Sequence, residues 1–307
     1  MISVVLPTYN GISYIKNSVT SILEQTYTDL ELIIVDDCST DGTGDVVDAL
    51  AKSDDRIHVI HNSVNKKLPA SLNIGFENAK GNYYTWTSDD NLYKHDALEV
   101  MLNHLKESPN TDIVYAMYDT IDSDGNIITN DNNDSQSCPE ENGILHNWVG
   151  ACFLYKREVH DRLYGYDENL FLVEDFDFWL RAARYFTYKR INKNLYQYRV
   201  HKNSLTSTRN SDIMAKTVAL LQREIEKGYV PPDKLAPLYK HFVNYYYAQT
   251  NYKEFKKYMR LLKESGNKKI KINISYRLAE VTGIRAIKKI WRFRYFFNQK
   301  IGEVKHG

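Results

Sequence analysis

The sequence predicts a layered α/β fold in which helices flank a mainly parallel sheet, followed by an all-helical C-terminal region. Two observations lead to this prediction. In residues 1–120, short apolar runs alternate with segments of helical periodicity, and strand–helix units of this length form parallel sheets. From about residue 209, long helical patterns replace that alternation. We therefore predict two regions, residues 1–208 and residues 209–307.

Five apolar runs predict the strands of the first region. In chain order they are ISVVLPTY, LELIIVDD, RIHVIHN, YYTWTSDD and DIVYAMYDTID, and the last turns at DSDGN into NIIT. A segment of helical periodicity follows each of the first four runs. The third of these helices, PASLNIGFENAKG, has a proline near its first turn, and we expect Gly81 to close it.

A polar, turn-rich segment at residues 130–143 predicts a mobile loop. Beyond it, WVGACFLYKREV predicts a strand entering a helix, EDFDFWLRAARYF a helix and YKRINKNLYQYRVH an extended chain. Three long helical patterns complete the sequence: IMAKTVALLQREIEKG, DKLAPLYKHFVNYYYAQT and NYKEFKKYMRLLKES. Pro231–Pro232 and Gly266 mark the breaks between and after them.

The composition argues against several classes of protein. Lys and Arg number 40 against 39 Asp and Glu, so bulk charge does not indicate a nucleic-acid partner. No stretch approaches the ~20 apolar residues of a membrane-spanning helix, and MISVVLPTYN lacks the features of a signal peptide. The three cysteines are odd in number and show no CxxC spacing, which fits a reducing compartment. We expect a cytoplasmic protein.

Two acidic pairs end two of the predicted strands. Asp36–Asp37 ends the second and Asp89–Asp90 ends the fourth, so both pairs are expected at the edge where parallel strands bind ligands. Carboxylates there can hold Mg²⁺ or Mn²⁺, which share their ligand shell with substrate phosphates. The alternative for Asp89–Asp90 is an exposed turn that caps the next helix.

The segment after the second strand, VDDCSTDGT, partly matches a calcium-binding EF-hand loop. An EF-hand requires a helix before the loop, and a strand precedes this one. A carboxylate at this position more often hydrogen-bonds the nucleoside of a ligand. The fingerprint GxGxxG is absent after the first strand, where LPTYNG stands, so we expect a metal ion to hold the phosphates.

Six motifs together resemble family 2 glycosyltransferases of the GT-A fold, a Rossmann-like fold with a mixed, mainly parallel sheet. In chain order they are SVVLPTYNG, SILEQTYTDLELIIVDDCSTDGT, TSDDNLY, WVGACFLYKREV, EDFDFWLRA and YRVHKNSLT, spread over residues 1–208. The Asp-Asp-Asn order resembles the spore-coat type of this family especially closely. The resemblance implies inverting transfer of a sugar from a nucleotide sugar, most often UDP-linked.

The resemblance also implies where the donor binds. It assigns four residues to the nucleoside pocket: Pro7, Thr8, Tyr9 and Asp37. Asp89 and Asp90 match the metal and diphosphate motif DxD, although Thr87 stands where many members have the first Asp. We therefore expect Asp89 to contact the nucleotide and Asp90 to bind the metal ion.

Asp175 is the catalytic base that the resemblance implies, since inverting transfer needs a group that takes the proton of the acceptor hydroxyl. Glu174 beside it would raise its proton affinity by like-charge repulsion, and we also consider Glu174 for sugar contact. The alternative is that both acids only favour the positive end of a helix.

His201 is the second candidate ligand for the metal ion, because imidazole binds Mn²⁺. The alternative is a capping or hydrogen-bonding histidine. Arg199 and Lys202 beside it would hold phosphates or be solvated. Trp148 is a candidate for stacking on the donor or acceptor sugar, whereas the helical spacing of Trp179 predicts a core residue.

The segment RAIKKIWRFRYFFNQK, residues 285–300, has six Lys and Arg, no acids, and interleaved aromatic residues. Such a helix can lie on an anionic membrane surface, and this would suit a lipid-linked acceptor. The alternative is a helix packed on its neighbours or a dimer contact.

Together these features predict a metal-dependent inverting glycosyltransferase of cell-surface glycan synthesis. It would use Mn²⁺ or Mg²⁺, a nucleotide-sugar donor and a glycan or lipid-linked saccharide acceptor. A sugar-nucleotide pyrophosphorylase is one alternative, but it needs a glycine- and arginine-rich turn after the first strand. The other is a non-catalytic protein that binds glycans or nucleotide sugars and retains the fold.

Overall fold

A computed structural model describes residues 1–129 and 147–266, together with residue 276 and several positions in the range 279–288. The described residues divide into two compact units, one ending at Thr217 and the other beginning at Val218. The predicted division after residue 208 stays a prediction. The loop predicted at residues 130–143 lies outside the described residues, as does most of the basic segment 285–300.

The described part of the first unit contains one sheet of nine strands. These are β1 Ile2–Thr8, β2 Leu30–Asp36, β3 Ile57–His61, β4 Tyr83–Trp86, β5 Leu92–Tyr93, β6 Ile113–Ile121, β7 Ile127–Thr129, β8 Phe153–Lys156 and β9 Tyr188–Arg199. Their order is β3-β2-β1-β4-β8-β6-β9-β5, with β7 paired to β6. Strands β1 to β4 run parallel, and β8 lies antiparallel between β4 and β6. The predicted mixed, mainly parallel sheet is confirmed.

Helices flank this sheet in the order that the sequence predicts. They are α1 Ile15–Leu23, α2 Thr43–Ala51, α3 Leu68–Glu77, α4 Ala97–Glu107, α5 Arg157–Leu163 and α6 Glu174–Ala182, and α7 Leu205–Glu226 begins in this unit. The main apolar cluster joins β1 and β2 to the inner faces of α1 and α4, with Val4, Leu32, Val19 and Leu98 fully buried. Because the strands are buried on both faces, they appear in the sequence as continuous apolar runs.

Helix α3 ends earlier than predicted, and Gly81 does not close it. The helix stops at Glu77, and Gly81 lies beside β1 instead, where its N–H donates to Ser3 Oγ at 2.8 Å. A Cβ at Gly81 would stand only 2.6 Å from that oxygen. The glycine is therefore required by the close approach of two backbone segments, which helical periodicity does not reveal.

The second unit is helical throughout its described residues, as predicted. It contains the end of α7, then α8 Pro232–Ala248 and α9 Tyr252–Glu264. Aromatic rings form much of its core, with Phe242 and Tyr258 edge to face at 4.8 Å between centroids. Gln222 Nε2 donates to the hydroxyl groups of Tyr246 and Tyr258. None of the described helices has both the length and the apolar character needed to cross a bilayer.

Candidate active site

The candidate site lies at the edge of the sheet where parallel strands end side by side. Thr8, the last residue of β1, is in register with Asp36, the last residue of β2, and β4 runs parallel to β1 on its other side. The acidic pair that includes Asp36 and the pair Asp89–Asp90 therefore lie at the ends of the two strands that flank β1, at one edge of the sheet. This arrangement is the one that the sequence predicts.

Asp89 is held against the end of β1. Its Oδ2 accepts a hydrogen bond of 2.5 Å from Thr8 Oγ1, and the backbone N–H of Tyr9 also donates to it. Burial raises the pKa of Asp89 to about 7, and the nearby charge of Asp90 adds to this increase. A Cβ at Gly11 would stand 2.1 Å from Asp89 Oδ2, so the turn after β1 requires a glycine to admit this carboxylate.

The loops after β1 and β2 are joined by hydrogen bonds that explain the motif VDDCSTDGT. The N–H of Asn10 donates to Ser39 Oγ, and the Asn10 side-chain oxygen accepts from the N–H of Thr40. Asp41 Oδ2 accepts from the N–H of Ile12 at 3.2 Å. Asp41 thus holds two loops together, which accounts for the partial EF-hand match without calcium.

Asp37 is almost fully buried and holds the loop between β3 and α3. Its Oδ1 accepts from Asn62 Nδ2 and from the N–H of Lys66, and its Oδ2 accepts from the N–H of Lys67, each at 2.8 Å. Lys67 has a positive φ of 76°, a conformation that these bonds help to maintain. The structure therefore gives Asp37 a loop-holding role, and its predicted contact with a nucleoside stays a prediction.

Asp90 and His201 come together from distant parts of the chain. Asp90 Oδ2 lies 2.9 Å from His201 Nε2, whereas the buried Oδ1 has no hydrogen-bond partner among the described residues. The described chain has no group of three or more His, Cys, Asp or Glu side chains placed to hold a metal ion. The unpartnered Asp90 Oδ1 nevertheless fits Mg²⁺ or Mn²⁺, which prefer oxygen ligands and take most of them from phosphate and water in such sites.

The side chain of Arg199 holds the backbone beside this pair and is buried, not solvated. Its guanidinium group is buried, with Nε donating to the carbonyl of Asp90 and Nη1 to the carbonyls of Asp122 and Ser123. The guanidinium also lies over the ring of Tyr14, at 4.6 Å from its centroid. The solvated alternative for Arg199 is wrong, because its buried planar donor group holds three backbone carbonyls, and its contact with phosphate stays a prediction.

Asp175 opens helix α6, and both of its oxygens accept hydrogen bonds. Oδ1 accepts from the N–H of Phe176 and Oδ2 from Asn147 Nδ2, each at 2.7 Å. Burial raises the pKa of Asp175 above the ordinary value, and these hydrogen bonds oppose the increase. A half-buried carboxylate with a raised pKa is suited to accept a proton.

Glu174 is more deeply buried than Asp175, and its Oε2 has no hydrogen-bond partner among the described residues. Burial raises the pKa of Glu174 to about 8, and repulsion from Asp175 adds to this increase. We expected the repulsion to act mainly on Asp175, but burial is the largest cause of the raised pKa there. Burial and this repulsion therefore both favour the protonated form of Glu174.

Two tyrosines connect the base to the rest of the site. The phenol of Tyr198, on β9, interacts electrostatically with both Asp90 and Asp175. Tyr166 interacts with Asp175 and accepts a hydrogen bond of 2.9 Å from the Trp86 ring nitrogen at the end of β4. The candidate metal ligand and the candidate base therefore belong to one site.

Trp148 and Trp179, the two tryptophans considered from the sequence, are both core residues. Trp148 is only 1% exposed and lies edge to face with Phe176 and Tyr188. Because the ring is buried, Trp148 cannot stack on a sugar, and the predicted sugar contact is wrong. Trp179 is fully buried, as predicted.

The remaining predicted residues differ in exposure at the same edge. Pro7 is buried inside β1, one position before Thr8, and contributes its backbone to the sheet. Tyr9 is 52% exposed and is the predicted nucleoside contact with a free ring surface. Lys202 is exposed, as one alternative had it.

The family model of glycosyl transferase family 2 matches residues 3–164, which contain both acidic pairs and the strands that carry them. The chain belongs to this family. This family 2 glycosyltransferase carries Asp89–Asp90 and Asp175 in two of the six motifs given above, TSDDNLY and EDFDFWLRA.

Relatives of known sequence agree with this family 2 assignment. The chain is 31% identical over 229 residues to the putative teichuronic acid biosynthesis glycosyltransferase TuaG of Bacillus subtilis, covering 74% of the chain and 89% of TuaG. It is 35% identical over 127 residues to the glycosyltransferase GlyG of Streptococcus pneumoniae, covering 41% of the chain and 42% of GlyG. An uncharacterized glycosyltransferase of Rickettsia bellii is 27% identical, and the match spans 38% of that longer protein.

Solved structures agree on the GT-A fold. Staphylococcus aureus TarS 1-349 in complex with UDP-GlcNAc aligns with a TM-score of 0.65 at 16% identity, covering 95% of this chain and 91% of that one. Mannosyltransferase PcManGT of Pyrobaculum calidifontis, in complex with GDP-Man and Mn²⁺, aligns with a TM-score of 0.62 at 19% identity, covering 93% and 84%.

Sequence reasoning missed several residues that shape the site. Asn147 and Tyr166 lie outside the six motifs, and Tyr198, although it opens YRVHKNSLT, gave no signal of its own, because these roles depend on contacts between segments far apart in the chain. Gly11 stands in the quoted LPTYNG but gave no signal beyond a turn. Only the packing of the Asp89 carboxylate shows why a glycine is needed there.

Proposed function

We propose that this family 2 enzyme is a metal-dependent inverting glycosyltransferase. It moves a hexosyl group from a nucleotide sugar, most simply a UDP-linked one, to a hydroxyl of a glycan or lipid-linked saccharide in cell-surface polysaccharide synthesis. The observation that carries the proposal is the electrostatic interaction of the Tyr198 phenol with both Asp90 and Asp175. The diphosphate end of a donor and the attacking hydroxyl thus fit within one site.

The donor would lie across the ends of β1, β2 and β4. Tyr9 offers an exposed ring for the nucleoside, and Asp89, fixed by Thr8, lies between the nucleoside end and Asp90. Asp90 and His201 would hold a divalent cation, with Asp90 Oδ1 free to bind it. When bound, such a cation supplies positive charge that offsets the developing charge of the leaving nucleotide diphosphate.

Asp175 would act as the general base. It takes the proton of the acceptor hydroxyl while that oxygen bonds to the anomeric carbon and the bond from this carbon to the diphosphate oxygen breaks. Attack opposite the leaving group inverts the anomeric configuration. The raised pKa of Asp175 increases its affinity for this proton. Glu174, with an unpaired buried Oε2, would donate a hydrogen bond to a sugar hydroxyl.

The comparisons support the substrate classes in this proposal. TarS forms a complex with UDP-GlcNAc, and PcManGT forms one with GDP-Man and Mn²⁺. UDP-GlcNAc and GDP-Man are both nucleotide sugars. TuaG is named for teichuronic acid biosynthesis, which points to a cell-surface polysaccharide as the acceptor.

A panel of nucleotide sugars tests the proposal. Each donor is incubated with the protein in Mn²⁺ or in a chelator, and release of the nucleoside diphosphate is measured. We expect release from at least one donor, in Mn²⁺ only. A protein that binds UDP but releases diphosphate from no donor, with or without saccharide acceptors, would instead be a binding protein that retains the fold.

A further inference from the structure

Asn147 stands directly against the candidate base and has no assigned role. It lies just before the buried Trp148, and its side-chain Nδ2 donates to Asp175 Oδ2 at 2.7 Å. Its own Oδ1 accepts from the backbone N–H groups of Val149 at 3.2 Å and Gly150 at 3.4 Å. Because only the amide oxygen can accept these two bonds, the amide is fixed with its nitrogen toward the carboxylate.

The Asp175 carboxylate is consequently held from two sides. The N–H of Phe176 binds Oδ1 and Asn147 binds Oδ2, so neither oxygen is free to rotate away. An ionised carboxylate has about four acceptor positions, so room remains on it for the hydroxyl of an acceptor.

We propose that Asn147 is a positioning residue for Asp175, which holds the carboxylate in the orientation that receives the proton of the acceptor hydroxyl. The inference rests on the proposed role of Asp175 as base. Asn147 lies outside the six motifs, and the proposed role explains why its amide nitrogen donates to the Asp175 carboxylate.

Several charged and titratable groups around Asp175 affect its pKa together with Asn147. Glu174 is its neighbour on α6, and the phenols of Tyr166 and Tyr198 face it from the segment after α5 and from β9. Burial raises the pKa of Asp175, and the Asn147 hydrogen bond lowers it. Loss of that bond should therefore leave the base protonated up to a higher pH.

The test is the pH profile of kcat/KM for sugar transfer by wild type, Asn147→Ala and Asn147→Asp. Asn147→Asp is nearly isosteric and keeps an oxygen for the N–H groups of Val149 and Gly150, but it loses the donor and adds negative charge. We expect the acidic limb to move to higher pH by about one unit in Asn147→Ala, and further in Asn147→Asp. UDP affinity should stay unchanged in both variants.

Asn78→Ala, at the exposed end of α3, is the control and should keep the wild-type profile. If both Asn147 variants lose activity equally at every pH, or keep the wild-type acidic limb, the positioning role is overturned. Asp175→Asn separates this failure from failure of the proposed function. If Asp175→Asn is active, Asp175 is not the base and the proposed function fails at that residue. If Asp175→Asn is inactive while the Asn147 variants keep the wild-type acidic limb, only the role of Asn147 is overturned.

Discussion

Asp175 shows how a common side chain is adapted to one task by its surroundings. Burial raises its pKa, and hydrogen bonds from Phe176 and Asn147 keep that increase in check. In the described part of the chain, no such donor reaches Oε2 of neighbouring Glu174, and its pKa rises to about 8. Burial thus raises the pKa of both adjacent carboxyl groups, and only Asp175 has hydrogen-bond donors on both oxygens among the described residues.

Replacing Asp175 by Asn should therefore abolish transfer without affecting donor binding. We expect kcat to fall by about 10²–10⁴-fold, because the amide cannot take the proton of the acceptor. Steady-state kinetics and UDP titrations measure the two effects separately. The matched control is Asp45→Asn, an exposed carboxylate in the first turn of α2, which should leave both unchanged. Turnover near the wild-type rate in Asp175→Asn would show that another group is the base.

Residue roles were predictable where a motif fixes them and not where packing does. Asp89 and Asp90 follow a strand that is evident in the sequence, so their position at the edge of the sheet could be predicted. The burial of Trp148 could not be, since it depends on Phe176 and Tyr188 from later elements. An aromatic residue next to a site motif has the same appearance in sequence whether it is buried or exposed.

Strand β9 shows a similar dependence at the scale of an element. It ends at Arg199, whose buried guanidinium bonds the carbonyls of Asp90, Asp122 and Ser123. One side chain thus joins the loops that follow β4 and β6 to the end of β9. The arrangement also places His201, two residues later, against Asp90.

Arg199→Lys should destabilise the protein although it preserves the charge. A single ammonium group cannot replace the planar set of donors, and carbonyls left without partners cost about 1–3 kcal/mol each. We expect the free energy of unfolding to fall by about 2–4 kcal/mol in urea titrations. Lys202→Ala, at an exposed neighbouring position, should change it by less than about 0.5 kcal/mol. An Arg199→Lys protein as stable as wild type would contradict the proposed role of Arg199 in holding the three backbone carbonyls.

Helix α5 carries a histidine that should make stability sensitive to pH. His160 lies among Phe76, Tyr84 and Tyr155, and burial lowers its pKa to about 4. The unfolded chain therefore binds this proton first as pH falls, and stability is lost from about pH 6.5 downward until the folded pKa is passed.

His160→Phe removes this source of acid sensitivity. Between pH 7 and pH 5, wild type should lose about 2 kcal/mol more unfolding free energy than the variant does. Comparing the two pH slopes in urea titrations cancels the other ionisable groups and the lost contact with the Tyr155 hydroxyl. Equal slopes would mean that His160 is not buried as a neutral ring.

At the scale of elements, most of the fold followed from periodicity, and the exceptions have physical causes. Strands β1 and β2 are buried on both faces and appear as continuous apolar runs, whereas β3 and β4 are only partly buried. Strand β5 has only two residues, too few to show a pattern. The placement of β8 between β4 and β6 depends on pairing between segments distant in sequence. Local periodicity contains no information on that pairing.

For the whole molecule, the fold brings together groups that the sequence keeps apart. Thr8 ends β1, Asp90 follows β4, Asp175 lies in α6 and His201 follows β9. The Tyr198 phenol interacts electrostatically with Asp90 and Asp175. The division of labour proposed here gives Asp90 the diphosphate end of the donor and Asp175 the acceptor hydroxyl. Loss of either carboxylate should therefore affect a different step.

Calorimetric titration of UDP into wild type and Asp90→Ala, each in Mn²⁺ and in a chelator, tests this division most directly. We expect wild type to bind UDP at least about tenfold more tightly in Mn²⁺, since a metal ion bound to phosphate oxygens contributes several kcal/mol. Asp90→Ala should bind UDP equally weakly under both conditions. UDP binding that does not depend on metal, and that Asp90→Ala leaves unchanged, would contradict the account.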